Sequence, residues 1–499
     1  MKPLTRRQFA VLGGLGAGAT LTGGAGLWWA ASNGSEYAGG EDFGEPPVLA
    51  SRDGILELDL TAGLTRTRIG AREATVETYN GSLPGPTLRV SAGDTIRIAM
   101  TNSLETVTNL HVHGLHVSPD GNGDNPFLSI APSETFDYEF TLPEDHPPGT
   151  YWYHPHHHGT VADQVAAGLY GAIIVTDPSS DPEPVPVTRE RLMVVSDLSL
   201  DASGDLAGAD VMEQMVGREG EIVLVNGQVR PRISAALGER ERWRIVNACP
   251  SRYLSLSLEG QRVQMLGRDV ARFPVPEKVS EVTLLPGSRV ELLIQATTGS
   301  STLLATPVDR GDMGSMMGDG ADSLPGSDDP SELLTFDVSG DAAAPLPEVP
   351  HGPALRDLRT EAVAGRRTLD FAMGMGGGMM DRGETSMMSF TINGTTFDAD
   401  RTDTTVTAGA IEEWTLTNPG PMDHPVHLHV WPMQIIESGD QKVTDPTWRD
   451  VVNVPAGSQV KVLIAFDDFW GRSVYHCHIL DHEDQGMMGT IEVRPAQTG

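Results

Sequence analysis

The stretch Val474-Tyr-His-Cys-His-Ile-Leu-Asp-His-Glu-Asp-Gln-Gly-Met-Met488 constrains this chain more than any other. Within it, His476, Cys477, His478, His482 and Met487 follow the spacing His-Cys-His-x3-His-x4-Met. An extended chain points successive side chains to opposite faces. If 474–478 is extended, Cys477 turns one way while His476 and His478 turn the other. One soft thiolate with a nearby imidazole and thioether, from His482 and Met487, suits a mononuclear copper. The two outward histidines are left for a different metal cluster across an interface.

A second run fits the first. His424-Pro-Val-His-Leu-His429 offers His424 as the missing imidazole, completing a site of two histidines, one cysteine and one methionine. His427 and His429 then remain for the other cluster. His111-Val-His113 and His154-Pro-His156 add four more. A single His-x-His pair arises by chance in many chains, whereas four sets in this order are specific. Ten of the fifteen histidines fall in them.

The four sets resemble the copper-binding motifs of the multicopper oxidases, in the three-domain group that contains laccases and periplasmic cuprous oxidases, and they cover that pattern completely. Residue by residue, the resemblance implies four coppers per chain. Type 1 copper falls to His424, Cys477, His482 and axial Met487. Type 2 falls to His111 and His427. The type 3 pair falls to His113, His154, His156, His429, His476 and His478.

The remaining sequence reads as all-β. Ile55-Leu-Glu-Leu-Asp-Leu60 and Thr95-Ile-Arg-Ile-Ala-Met100 alternate apolar and polar residues, the mark of half-buried strands, and no long stretch keeps a helical period. The chain also repeats. Passages opening at Asn80-Gly81, Asn226-Gly227 and Asn393-Gly394 close at Thr101-Asn102, Val246-Asn247 and Thr417-Asn418. The expected unit is a Greek-key β-sandwich, which the resemblance identifies as the cupredoxin fold, three in succession. The boundaries expected are 46–178, 190–340 and 360–495, with linkers at 34–50, Asp177–Pro186 and Ala342–Pro353. The middle unit has Ala248-Cys-Pro-Ser-Arg-Tyr253 where the others carry His-x-His, so it reads as a spacer without copper ligands. The larger cluster then lies between the first and third units.

A length of 499 residues allows two to four domains. The formal charge of −33 argues against nucleic acid as a partner, because phosphate binding needs positive charge. With two cysteines and Cys477 assigned to copper, no disulfide framework exists, and Cys249 reads as a small buried apolar residue. Residues 1–33 read as an export signal. Thr5-Arg6-Arg7-Gln8-Phe9 precedes an apolar Gly/Ala-rich run, the twin-arginine pattern that carries folded proteins. Release to the periplasm or exterior is expected, with an uncleaved membrane anchor as the alternative. A monomer suffices, since one chain supplies every ligand.

Oxygen reduction to water needs four electrons and protons. Cys477 is the expected wire between the single copper and the cluster. Met487, a weak axial donor, points to a moderate potential. By resemblance Glu483 serves the cluster with protons, and the loop Asp120-Gly-Asn-Gly-Asp124 offers Asp124 or Asp120 as a second acid. His116, His157 and His158 are read as supporting or surface residues. For the electron donor, Met373, Met375, Met379, Met380, Met387 and Met388 lie in a Gly-rich stretch, an unusual setting for core methionines, and Met313, Met316 and Met317 form a smaller group. Thioethers select Cu(I). Met422 and Asp423 precede His424, although Gly420 stands where the cuprous oxidases carry an acid. The expected activity is Cu(I) oxidation with dioxygen. The alternatives are a laccase-type oxidase of phenols and aryl amines or, more remotely, a non-catalytic division-associated scaffold or copper-storage protein.

Overall fold

The computed structural model describes residues 39–176, 185–311, 329–375 and 388–496. Among these described residues the strands form six sheets that fall into three consecutive pairs along the chain. The first pair has five and four strands between Val48 and Val175. The second has six and five between Arg189 and Ser339, and the third six and five between Gly365 and Arg494. Each pair encloses its own apolar core, around Tyr138 and Phe140, around Trp243 and Phe336, and around Trp414 and Tyr475. The strand Ile55–Ile69 shows why, since its first residues alternate between buried and exposed as their chemistry does.

The expected repeat is present in detail. Asn80, Asn226 and Asn393 have φ of 54°, 52° and 53°, and each is followed by a glycine at 73°, 74° and 75°. Two successive positive φ values favour Asn-Gly and make a tight hairpin turn. The closing asparagines recur as braces. Asn102, Asn247 and Asn418 are each buried, and each donates from Nδ2 to two carbonyls while Oδ1 accepts a backbone N–H two residues on. In the third copy the brace holds the carbonyls of Met422 and Val454, which fixes the chain entering His424.

Parts of two expected linkers hydrogen-bond to the middle sandwich. Gly40 N donates to Arg230 O at 2.9 Å, Phe43 N to Arg232 O at 3.0 Å, and Leu192 N to Glu45 Oε1 at 3.0 Å, so this segment runs along the middle sandwich. Ala343 and Gly352 likewise bond Leu237 O and Pro274 O. Backbone polar groups that pack on a sheet need partners, which an acidic, Pro-containing composition does not reveal. An apolar cluster including Trp152, Leu192, Val246 and Leu480 joins all three sandwiches. Cys249 is buried in the middle core, as expected. Among the described residues no helix is long and apolar enough to cross a membrane; the signal segment lies outside them.

Candidate metal centre

Cys477 ends the strand Gly471–Cys477, and His424 begins the antiparallel neighbour His424–Leu428. The short helix Leu480–Asp484 carries His482. Cys477 Sγ lies 3.5 Å from His424 Nδ1 and 3.8 Å from His482 Nδ1, with all three side chains fully buried. Met487 is equally buried in the same core, and its carbonyl accepts from Cys477 N at 3.0 Å. Burial pushes the Cys477 thiol well up, with the Ile479 N–H pulling the other way. A thiol so placed ionises only when a cation compensates.

Cys477's neighbours face elsewhere. His427 pairs with His476 on neighbouring strands of one sheet of the third sandwich, and His111 pairs with His154 on neighbouring strands of one sheet of the first. The two edges meet, so that His113 stacks on His427 at 3.8 Å and His111 on His429 at 3.7 Å. His156, His429 and His476 bring their Nε2 atoms together at 3.1, 3.1 and 3.2 Å. The rings of His113, His154 and His478 lie 5.1 to 5.8 Å apart. All eight predicted histidines therefore converge, four from each outer sandwich.

The donor set fits copper. Among the described residues, Nε2 of His111, His154, His424 and His427, both ring nitrogens of His113 and His478, and Nδ1 of His156 and His429 are buried and find no hydrogen-bond partner. A ring nitrogen is either donor or acceptor, so the three facing Nε2 atoms cannot satisfy one another. Protonation is no remedy. Burial first, and mutual repulsion among most of the rings, lowers the histidine pKa values, His424 to about 3 and His156 and His476 to about 4. Neutral imidazoles with a buried thiol are the ligands that copper prefers.

Two predicted acids are at the cluster. Asp124 is buried, with Oδ1 2.9 Å from His111 Nδ1, and it accepts from Val112 N at 3.1 Å; burial raises its carboxyl to about 8. Asp120 is exposed. Glu483 is fully buried, 2.9 Å from His476 Nδ1 and 3.4 Å from His156 Nε2, and burial raises it to about 7. Sequence reasoning missed three groups. Asp450 lies 3.9 Å from His113 Nε2 and its carbonyl accepts from His427 Nδ1 at 2.7 Å. Arg289 of the middle sandwich grips Asp450. Met215 O accepts from His482 Nε2 at 3.1 Å. None carries a local motif; Arg449-Asp450 merely precedes the strand that pairs with His424–Leu428. His116 bonds Val430 O, and His158 packs on Phe397.

The methionine expectation needs correction in part. Met373 and Met388 are buried in the third core, as is Met422, so a Gly-rich setting did not keep the first two out of packing. They lie on the paired antiparallel strands Gly365–Met375 and Met388–Ile392, whose inward faces need apolar side chains. Met379, Met380 and Met387 lie outside the described residues, as do Met313, Met316 and Met317, and Met375 is described in backbone only. Asp423 has both oxygens engaged, by Asn453 Nδ2 at 2.7 Å and Ala456 N at 2.9 Å.

Residues 62–180 and 373–497 each match a family profile described as multicopper oxidase. A solved multicopper oxidase from Campylobacter jejuni, titled a metallo-oxidase, is 30% identical with a TM-score of 0.79, covering 92% of this chain and 96% of that one. The multicopper oxidase mco of Staphylococcus haemolyticus is 29% identical over 83% of each chain. The cell division protein FtsP of Shigella dysenteriae is 28% identical over 99% of each.

Proposed function

Because the chain belongs to the multicopper oxidase family, we propose that it couples one-electron oxidation of a small donor to four-electron reduction of dioxygen to water. In this reading His424, Cys477, His482 and Met487 hold type 1 copper, and His111 and His427 hold type 2. His113, His154, His156, His429, His476 and His478 hold the type 3 pair. Copper bound there would supply one-electron exchange at the first site and a multi-electron store for dioxygen at the second. The chain's own part is to link, exclude and position. Cys477 serves one site while its neighbours His476 and His478 serve the other, so a single tripeptide connects them. Full burial keeps water from both. Glu483 holds a proton beside His156 and His476, and Asp124 fixes His111 through Nδ1. The observation that carries the reading is the convergence of unpartnered imidazole nitrogens from two sandwiches.

Cu(I) is the donor we favour. Gly311, which leads into one methionine-rich stretch, bridges Met422, two residues before His424. The free edge of His482 is covered by the helix Val211–Val216 through Met215 O, which disfavours a bulky organic donor there. The twin-arginine segment supports export, to the periplasm or exterior, and a monomer is sufficient.

Oxygen uptake by the copper-loaded protein, with Cu(I) against a simple phenol, tests this. Faster uptake with Cu(I), lost on deletion of residues 376–387, is the expected result. Equal or faster phenol oxidation, untouched by the deletion, would make it a laccase. No uptake with either, at full copper, would favour a scaffold or store, in line with the likeness to FtsP.

A further inference from the structure

The middle sandwich contributes no imidazole or thiol to either cluster, yet it sends one buried charge to the eight-histidine site. Arg289 begins the strand Arg289–Gln295 and is 1% exposed. Four of its five N–H groups are used. Nη1 donates to Asp450 Oδ1 at 2.8 Å and to Gly287 O at 3.2 Å, Nη2 to Asp450 Oδ2 at 2.6 Å, and Nε to Thr150 O at 2.9 Å. One guanidinium thus ties the three sandwiches together, reaching from the middle one to Thr150 in the first and Asp450 in the third.

The internal repeat shows that this arginine is particular to the middle copy. The residue before each bracing asparagine has a cross-strand partner, and these are Thr135, Arg289 and Gln459 in the three copies. Thr135 is exposed and Gln459 half-buried. Only the middle copy places a cation there, aimed at the seam.

Asp450 transmits what Arg289 fixes. Its carbonyl accepts from His427 Nδ1 at 2.7 Å, leaving Nε2 unpartnered and facing the cluster. His111 is held in the same sense from the other side, with Nδ1 on Asp124 and Nε2 free. A ring so held has a set tautomer and orientation. Space for the fork is kept by Gly114, φ +85°, whose missing Cβ would collide with both Asp450 Oδ2 and Arg289 Nη2. At Gly287, φ +83°, a Cβ would stand 2.7 Å from His478 Nε2.

We propose that Arg289 is a positioning residue for the type 2 copper site, setting His427 through its two-pronged bond to Asp450. The proposal rests on the three-copper reading of the eight histidines. A planar fork makes both bonds at once, which the point charge of lysine cannot do.

The test compares copper-loaded wild type, R289K and R191K. Arg191 grips Glu241 with a similar two-pronged bond inside the middle sandwich, at 2.7 and 2.8 Å, and controls for loss of a buried ion pair. Paramagnetic resonance and chelator competition report type 2 copper, and the blue thiolate absorption reports type 1. Expected is about 10- to 100-fold weaker retention of type 2 copper in R289K, with the blue absorption intact and both signals unchanged in R191K. Unchanged type 2 retention in R289K would overturn the proposal. So would loss of both copper signals together, in step with a lowered melting temperature, as a purely structural clamp requires. A wild-type protein that takes up type 1 copper but none at the histidine cluster would instead sink the three-copper reading itself.

Discussion

His427 and His476 are direct partners across two antiparallel strands, although they belong to separate motifs far apart in the sequence. The same pairing sets Cys477 opposite Val426, with its sulfur turned toward His424 and His482. A shift of one residue would turn every side chain on the strand to the other face. Register therefore decides which ligands share a metal.

Replacing Cys477 with serine removes the soft donor and leaves a near-isosteric side chain. C477S should keep the circular dichroism of a β protein, lose the blue absorption entirely and bring oxygen uptake to background. A blue C477S protein would show that another residue supplies the thiolate role.

Asp124 should matter through His111 rather than through the fold. D124A is expected to weaken copper at His111 by about 10- to 100-fold, and D124N by less, because its amide oxygen can still accept from Nδ1–H. Equal retention in wild type and D124A, measured by chelator competition, would remove Asp124 from the site.

Among the described residues, Glu483 has only a proton or the rings of His156 and His476 to offset its charge. E483Q should slow oxygen uptake by about 100-fold or more, the range of a lost acid–base group, with copper content and blue absorption unchanged. Wild-type turnover in E483Q would exclude it from proton delivery.

Glu291 makes the fold sensitive to acid. Burial pushes its carboxyl up, but Arg242 and Arg244 more than reverse this and hold it at about 2, against an ordinary 4.5. Thr150 Oγ1 donates to it at 3.0 Å, so the group also ties the first sandwich to the middle one. A depressed folded-state value stabilises fully above the unfolded pKa, and this is lost as pH falls through the folded one. E291Q should cost on the order of 3 kcal/mol near neutrality, with the gap from wild type narrowing as pH falls from about 4.5 toward 2. Urea midpoints across that window check it; a gap independent of pH would contradict the assignment.

Gly114 should tolerate no side chain. G114A meets a left-handed backbone and two charged groups at once. A loss of about 1–3 kcal/mol is expected, together with weaker type 2 copper, whereas G374A, with open space around it, should change neither.

The assignment of the twelve candidate ligands came from a family resemblance, whereas strand periodicity, the Asn-Gly turns of the repeat and the spacing within each motif were legible in the chain itself. These are local properties: alternation, turn chemistry and spacing act within a few residues. The resemblance also pointed to Glu483 and to one of two aspartates. Tertiary structure decided the rest. Asp124 rather than Asp120 is buried on His111, where it also accepts from Val112 N, a contact between loop and strand that the loop's sequence does not reveal. Met373 and Met388 became core, because strand pairing turns them inward. Arg289 and Asp450 are 161 residues apart and carry no motif, and only the packing of three sandwiches brings them to His113 and His427. Desolvation, which lowers the imidazole pKa values and raises those of Asp124 and Glu483, likewise exists only once the sandwiches close over the site.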